Sequence, residues 1–99
     1  MAAELTVTSI DSNNVALAGE LDTHTAQQLS DELGTVPGGT RLVLDLGAVT
    51  FISSAGLSSI LNAQRRLEES GGSLQVQGAT PAVARLIELS GLSDTLGLT

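Results

Sequence analysis

The sequence predicts an α/β fold: a small mixed β-sheet flanked by helices, in the order β-β-α-β-α-β-α, within one domain covering residues 1–99. Three observations carry this. Two segments rich in β-branched residues are separated by the turn cluster Asp11-Ser12-Asn13-Asn14, which reads as a β-hairpin. After the hairpin, apolar residues alternate between helical spacing and strand-like runs. Glycine, proline, serine or threonine punctuates each change of period. Strands alternating with helices pack as layers of sheet and helix.

The first strand is expected over Glu4 to Ile10 and the second over Val15 to Gly19. Asp22 or Thr23 caps a helix running to Leu33, with Ala26, Leu29 and Leu33 on its buried face and Gly34 as its stop. Pro37-Gly38-Gly39 is a loop. Leu42 to Leu46 is an apolar run broken only by Asp45, as expected of a central strand covered on both faces. A short polar loop follows.

The next helix starts near Ser54 and ends at Gly71-Gly72. Leu57, Ile60, Leu61, Gln64 and Leu67 form its buried stripe, and Ser58, Ser59, Asn62, Arg65, Arg66 and Glu69 lie on other faces. Leu74 and Val76 alternate in a half-buried strand over Ser73 to Gln77. Thr80 caps the third helix, Pro81 occupies its first position, and Val83, Leu86 and Ile87 form its stripe up to Gly91. Asp94 to Leu98 fits a last strand or a short helix.

Composition narrows the function. The chain is 41% hydrophobic, enough for a core, and that core is aliphatic because Phe51 is the sole aromatic residue. Net charge is −7, with four arginines (Arg41, Arg65, Arg66, Arg85) and no lysine. No basic patch is available for nucleic acid or an anionic membrane surface. No apolar run approaches the roughly 18 residues of a membrane span. The start MAAELTV has no secretion signal, and with no cysteine there is no disulfide framework, so the expected location is cytoplasmic. The acidity serves solubility or steers the chain toward a basic partner.

Enzyme chemistry finds little support. Ser54, His24 and Asp22 supply the residue types of a hydrolytic triad, but there is no nucleophile elbow and no spacing that implies geometry. A single histidine without cysteine does not make a metal site, and there is no phosphate loop. No catalytic, cofactor or metal residue is assigned.

The most informative feature is the stretch of residues 41–57, where strand gives way to helix through the two serines Ser53 and Ser54. A phosphate added at a helix start meets unpaired N–H groups and the positive end of the dipole, and it transforms the surface a partner sees. Serine there is also an ordinary cap. Gly56, costing about 1 kcal/mol relative to alanine in a helix, indicates close backbone approach.

Three segments, in order, carry a family resemblance: GELDTHTAQQL (residues 19–29), LVLDLGAVTFISSAGLSSIL (residues 42–61) and PAVARLIELSGLSDTL (residues 81–96). The chain resembles STAS domain proteins of the anti-sigma factor antagonist type. The resemblance implies a small mixed sheet flanked by helices. It implies binding to an anti-sigma factor of the serine-kinase type, which frees a sigma factor, and inactivation when that kinase phosphorylates a serine at the start of the second helix. A serine phosphatase would reverse the modification.

The family pattern is Asp-Ser-Ser-Gly-Leu, with the acceptor directly before glycine. This chain has Ser53-Ser54-Ala55-Gly56-Leu57. Ala55 stands at the usual acceptor position and Ser53 at the usual aspartate. Ser54 is then the acceptor, with Ser53 as second choice, or the domain has lost the switch and binds constitutively. The expected partner-binding residues are Asp22, Thr50, Ser53, Ser54, Ala55, Gly56, Leu57 and Ser58. The alternative is a constitutive STAS scaffold or sensor subunit of a stress-signalling or transporter complex. The expected state is a monomer or a weak dimer.

Overall fold

A computed structural model describes residues 5–92 and 94–97. The elements are β1 (Leu5–Ser9), β2 (Asn14–Leu21), α1 (Thr23–Leu33), β3 (Arg41–Ile52), α2 (Ser54–Glu69), β4 (Ser73–Gln77) and α3 (Pro81–Leu89), in the order expected. They form one four-stranded sheet, β1-β2-β3-β4, antiparallel between β1 and β2 and parallel elsewhere.

The hairpin closes because the Asp11 carboxylate accepts from the Asn13 N–H at 2.8 Å and from the Asn14 side-chain amide at 2.9 Å. These contacts, the Asn14 side chain foremost, hold the Asp11 carboxyl below the usual carboxylate range. Both parallel crossovers, through α1 and α2, step across the sheet in the same direction. Right-handed connections therefore place the two helices on one face, where they touch each other. The inward strand residues Val15, Leu17, Leu42, Leu44, Leu46, Leu74 and Val76 meet Leu29, Leu33, Ile60, Leu67 and Ile87 in one aliphatic cluster.

Several boundaries and faces differ from expectation. Glu4 and Leu98 lie outside the described residues, and Ile10 falls in the turn. β3 is far longer than Leu42 to Leu46: the stretch read as a polar loop is extended backbone as far as Ile52. The strand is not covered on both faces. Leu42, Leu44 and Leu46 are buried while Val43 and Asp45 are only half-buried, because α1 and α2 share a single side.

Ser59 is buried, not surface-facing. Its hydroxyl lies 3.0 Å from the Ala26 carbonyl oxygen and accepts from Ser30 at 3.2 Å, so it serves the α1–α2 contact. Leu61 is half-buried, and Leu86 flanks the buried Val83 and Ile87 on α3 and is 40% exposed. Asp94–Gly97 forms a turn rather than a strand. It is seated by the buried Leu96, whose carbonyl accepts from the Val76 N–H at 2.9 Å. No helix among the described residues is long and apolar enough to cross a membrane.

Candidate functional site

β2 and β3 run parallel and end level, with Leu21 opposite Ile52. Each strand then passes through one capping residue into a helix: Asp22 into α1 and Ser53 into α2. The Ser53 N–H donates to the Leu21 carbonyl at 2.8 Å, which holds the two caps side by side. The positive ends of two helix dipoles therefore open on one surface, at the carboxyl ends of adjacent parallel strands.

Asp22 caps α1 through a capping box. Its carboxylate accepts from the backbone N–H of His24 at 2.9 Å and Thr25 at 3.0 Å, and the Asp22 N–H donates to Thr25 Oγ1 at 2.9 Å. The Thr25 N–H is the main cause that holds the Asp22 carboxyl below the usual range. The sequence spacing Asp-x-x-Thr, Asp22 to Thr25, carries the signal for this box. The carboxylate is thus engaged chiefly by the backbone of the first turn of α1, with the Thr25 hydroxyl at 3.3 Å and the charge of His24 as lesser partners.

Ser53 caps α2, its Oγ accepting from the Gly56 N–H at 3.3 Å. Ser54 follows as the first helical residue and is exposed, as is Ser58; Ser53 and Ala55 are half-buried. Thr50 is exposed, with its hydroxyl 3.3 Å from the Gly19 carbonyl oxygen. Gly56 and Leu57, expected as partner contacts, are buried. A Cβ on residue 56 would lie 2.8 Å from the Leu21 carbonyl oxygen, so glycine lets α2 start against β2. Leu57 turns into the core. Both shape the surface from beneath.

A β-bulge aims this surface. Between the pairs Gly19–Val49 and Glu20–Phe51, β2 advances one residue and β3 two, leaving Thr50 as the extra residue. Gly19 adopts φ 108°, open to glycine at little cost; it sits inside β2, not at a strand end. The bulge turns Thr50 and Phe51 outward together between the buried Val49 and Ile52. Phe51 was not among the expected contacts, yet 44% of it is exposed. Its status as the lone aromatic was the available signal.

Charge is distributed unevenly along the elements. Arg41 opens β3, and Arg65 and Arg66 lie in the last turns of α2, at the end away from Ser53. Arg66 is not merely solvated: its guanidinium donates to the Leu33 and Val36 carbonyls at 2.7 and 3.1 Å, closing the end of α1. Asp45 accepts from the Gly47 N–H at 2.8 Å within β3. Around the twin caps stand the acids Glu20 and Asp22, and the first turns of α1 and α2 contain no arginine. No cluster of three or more His, Asp or Glu side chains suited to a metal ion occurs among the described residues.

Comparison with known proteins locates this arrangement. The family described as "Mlab, STAS domain" matches residues 6–98. The anti-sigma-B factor antagonist of Listeria monocytogenes is 30% identical over 98 residues, covering 97% of this chain and 86% of that protein. The crystal structure of an anti-sigma factor antagonist from Mycobacterium paratuberculosis superposes with a TM-score of 0.78 at 33% identity, over 98% of this chain and 85% of that one. A sulfate transporter family protein from Wolinella succinogenes shares the fold alone, with a TM-score of 0.72 at 18% identity over 85% and 70% of the two chains. The matched residues include both strand ends and both caps, and the chain belongs to the STAS domain family, among the anti-sigma factor antagonists.

Proposed function

We propose that this chain acts by docking the twin-cap surface, with Asp22, Thr50, Ser53, Ser54, Ala55 and Ser58, on an anti-sigma factor of the serine-kinase type, thereby freeing a sigma factor. The reading sets the protein in the cytoplasm, where transcription is regulated. It is a binding module and not an enzyme.

The observation that carries the proposal is the division of labour between the two serines. Ser53 is half-buried and its Oγ serves as helix cap, whereas Ser54 is exposed one residue later. A kinase reaches Ser54 without dismantling the cap. The added phosphate brings about −1.5 to −2 charges at pH 7. It meets favourable N–H groups of α2 but also the neighbouring acids Glu20 and Asp22. In a close protein contact, unneutralised charge costs several kcal/mol, and each 1.4 kcal/mol is about tenfold in affinity. Ser54 is therefore the proposed acceptor, Ser53 the second choice, and a serine phosphatase the agent that restores binding.

The test is calorimetric titration of a kinase-type anti-sigma factor from the same cell with wild type and Ser54→Asp, alongside mass spectrometry after kinase treatment. Binding weakened at least tenfold by Ser54→Asp, with phosphate on Ser54, supports the switch. No binding by the wild type overturns the proposal as a whole.

A second reading rests on Ala55, which has no hydroxyl where the family acceptor stands. Under it the domain binds constitutively, as a scaffold or sensor subunit. Unchanged affinity for Ser54→Asp, with no phosphopeptide, selects this reading.

A further inference from the structure

We infer that Phe51 is the apolar anchor of the docking surface, and that the matching site on the partner is an apolar pocket rimmed by basic side chains. The inference deepens the proposed docking reading and rests on it. Phe51 is the only aromatic residue in the chain, and burying it in the aliphatic core would have been the expected use of such a side chain. Instead it is 44% exposed on β3, one residue before the buried Ile52 and two before the Ser53 cap.

A single exposed apolar residue is ordinary on a protein surface. Two features set this one apart. The first is the bulge at Thr50, which breaks the alternation of β3 just where an aromatic would otherwise continue it. Bulges recur beside functional sites because they re-aim a side chain. Across the ladder, at the edge of the same register shift, Gly19 adopts φ 108°.

The second is the company Phe51 keeps. The Thr50 hydroxyl precedes it and those of Ser53 and Ser54 follow, and Glu20 is its register partner on β2, with Asp22 just beyond. An aromatic centre within a polar rim is the composition of an interface hot spot. The acids, on a chain of net charge −7 with no arginine in the first turns of either capped helix, fix the sign of the complement.

The experiment titrates a purified kinase-type anti-sigma factor from the same cell with wild type, Phe51→Ala, Phe51→Leu, Glu20→Gln and Ser54→Asp. Affinity lost at least tenfold by Phe51→Ala, partly recovered in Phe51→Leu, with an unchanged thermal midpoint, supports the anchor. Affinity within twofold of wild type for Phe51→Ala, while Ser54→Asp still weakens binding, overturns the anchor and leaves the docking reading standing. Unchanged affinity for both variants overturns the anchor and the switch, and absence of wild-type binding overturns docking itself.

The basic rim predicts weaker wild-type binding as salt rises and a shallower salt dependence for Glu20→Gln; identical salt curves overturn that part. Should Phe51→Ala fail to fold, Phe51→Trp provides the readout. The chain has no tryptophan of its own, so the wild-type complex is the blank. A blue shift of the added emission on binding supports burial of residue 51, and an unshifted spectrum overturns it.

Discussion

The Leu21 carbonyl serves two masters at the start of α2. It accepts the Ser53 N–H at 2.8 Å, and it lies 2.8 Å from where a Cβ on residue 56 would stand. The first contact draws the helix start onto β2, and the second dictates what the third helical residue is allowed to be. Helix propensity alone favours alanine over glycine by about 1 kcal/mol. Gly56→Ala nevertheless destabilises the protein, by about 1–3 kcal/mol, because the Leu21 backbone cannot give way without losing its bond to Ser53. Thermal denaturation checks this; an unchanged or raised midpoint refutes the close approach.

The two serines are predicted to separate in the same assay. Ser53→Ala removes the acceptor of the Gly56 N–H and costs about 0.5–2 kcal/mol. For a domain of this size each kcal/mol lowers the midpoint by about 4–8 °C. Ser54→Ala touches an exposed position and stays within about 0.5 kcal/mol of wild type. Equal losses for both variants contradict the division between cap and acceptor.

Acid pH acts on the other cap. Hydrogen bonds from the Thr25 and His24 N–H groups lower the Asp22 carboxyl below its unfolded value of about 3.9. A carboxyl depressed on folding contributes stability that is complete above the unfolded value and is lost as pH falls through the folded one. Asp11, depressed in the same direction by Asn14, adds to the same limb. Stability is therefore expected to hold from neutral pH down to about 4 and to decline below it. Asp22→Asn keeps a capping oxygen but no titrating charge, so its acid decline is shallower than that of wild type in denaturant melts across that range.

How far these features were legible in the sequence depends on the reach of the interaction that sets them. Thr80-Pro81, Asp22 and Ser53 act on backbone within three residues, and local pattern placed the helix starts to within a residue. The end of β3 is hard to read because Gly47 and Ala48 look like loop; the Asp45–Gly47 bond carries the strand across a register shift, and the ladder to β2 resumes at Ala48. Ser59 was read as surface because a hydroxyl is polar, and its partner Ala26 is 33 residues away. The exposure of Phe51 is non-local in the same way: the bulge that turns it outward is a property of two strands together.

Gln64 shows the reverse case, a polar residue correctly placed on a buried stripe whose purpose only the structure reveals. It is 5% exposed, and its amide donates to the Leu74 carbonyl at 3.1 Å and to the Thr95 carbonyl at 2.6 Å. The first bond fixes α2 to β4, and the second seats the turn Asp94–Gly97, which in turn supplies the Leu96 carbonyl to the Val76 N–H. Replacing Gln64 by methionine keeps the volume and removes both donors, so two carbonyls lose a partner. A buried acceptor left unpaired costs about 1–3 kcal/mol, partly offset by the apolar gain. The local effect separates this from general destabilisation. Hydrogen exchange at the Val76 amide is expected to accelerate by about tenfold more than at the Leu44 amide of β3, since opening the turn frees Val76 without unfolding the sheet. If the two amides accelerate alike, Gln64 supports the core as a whole and does not hold the turn.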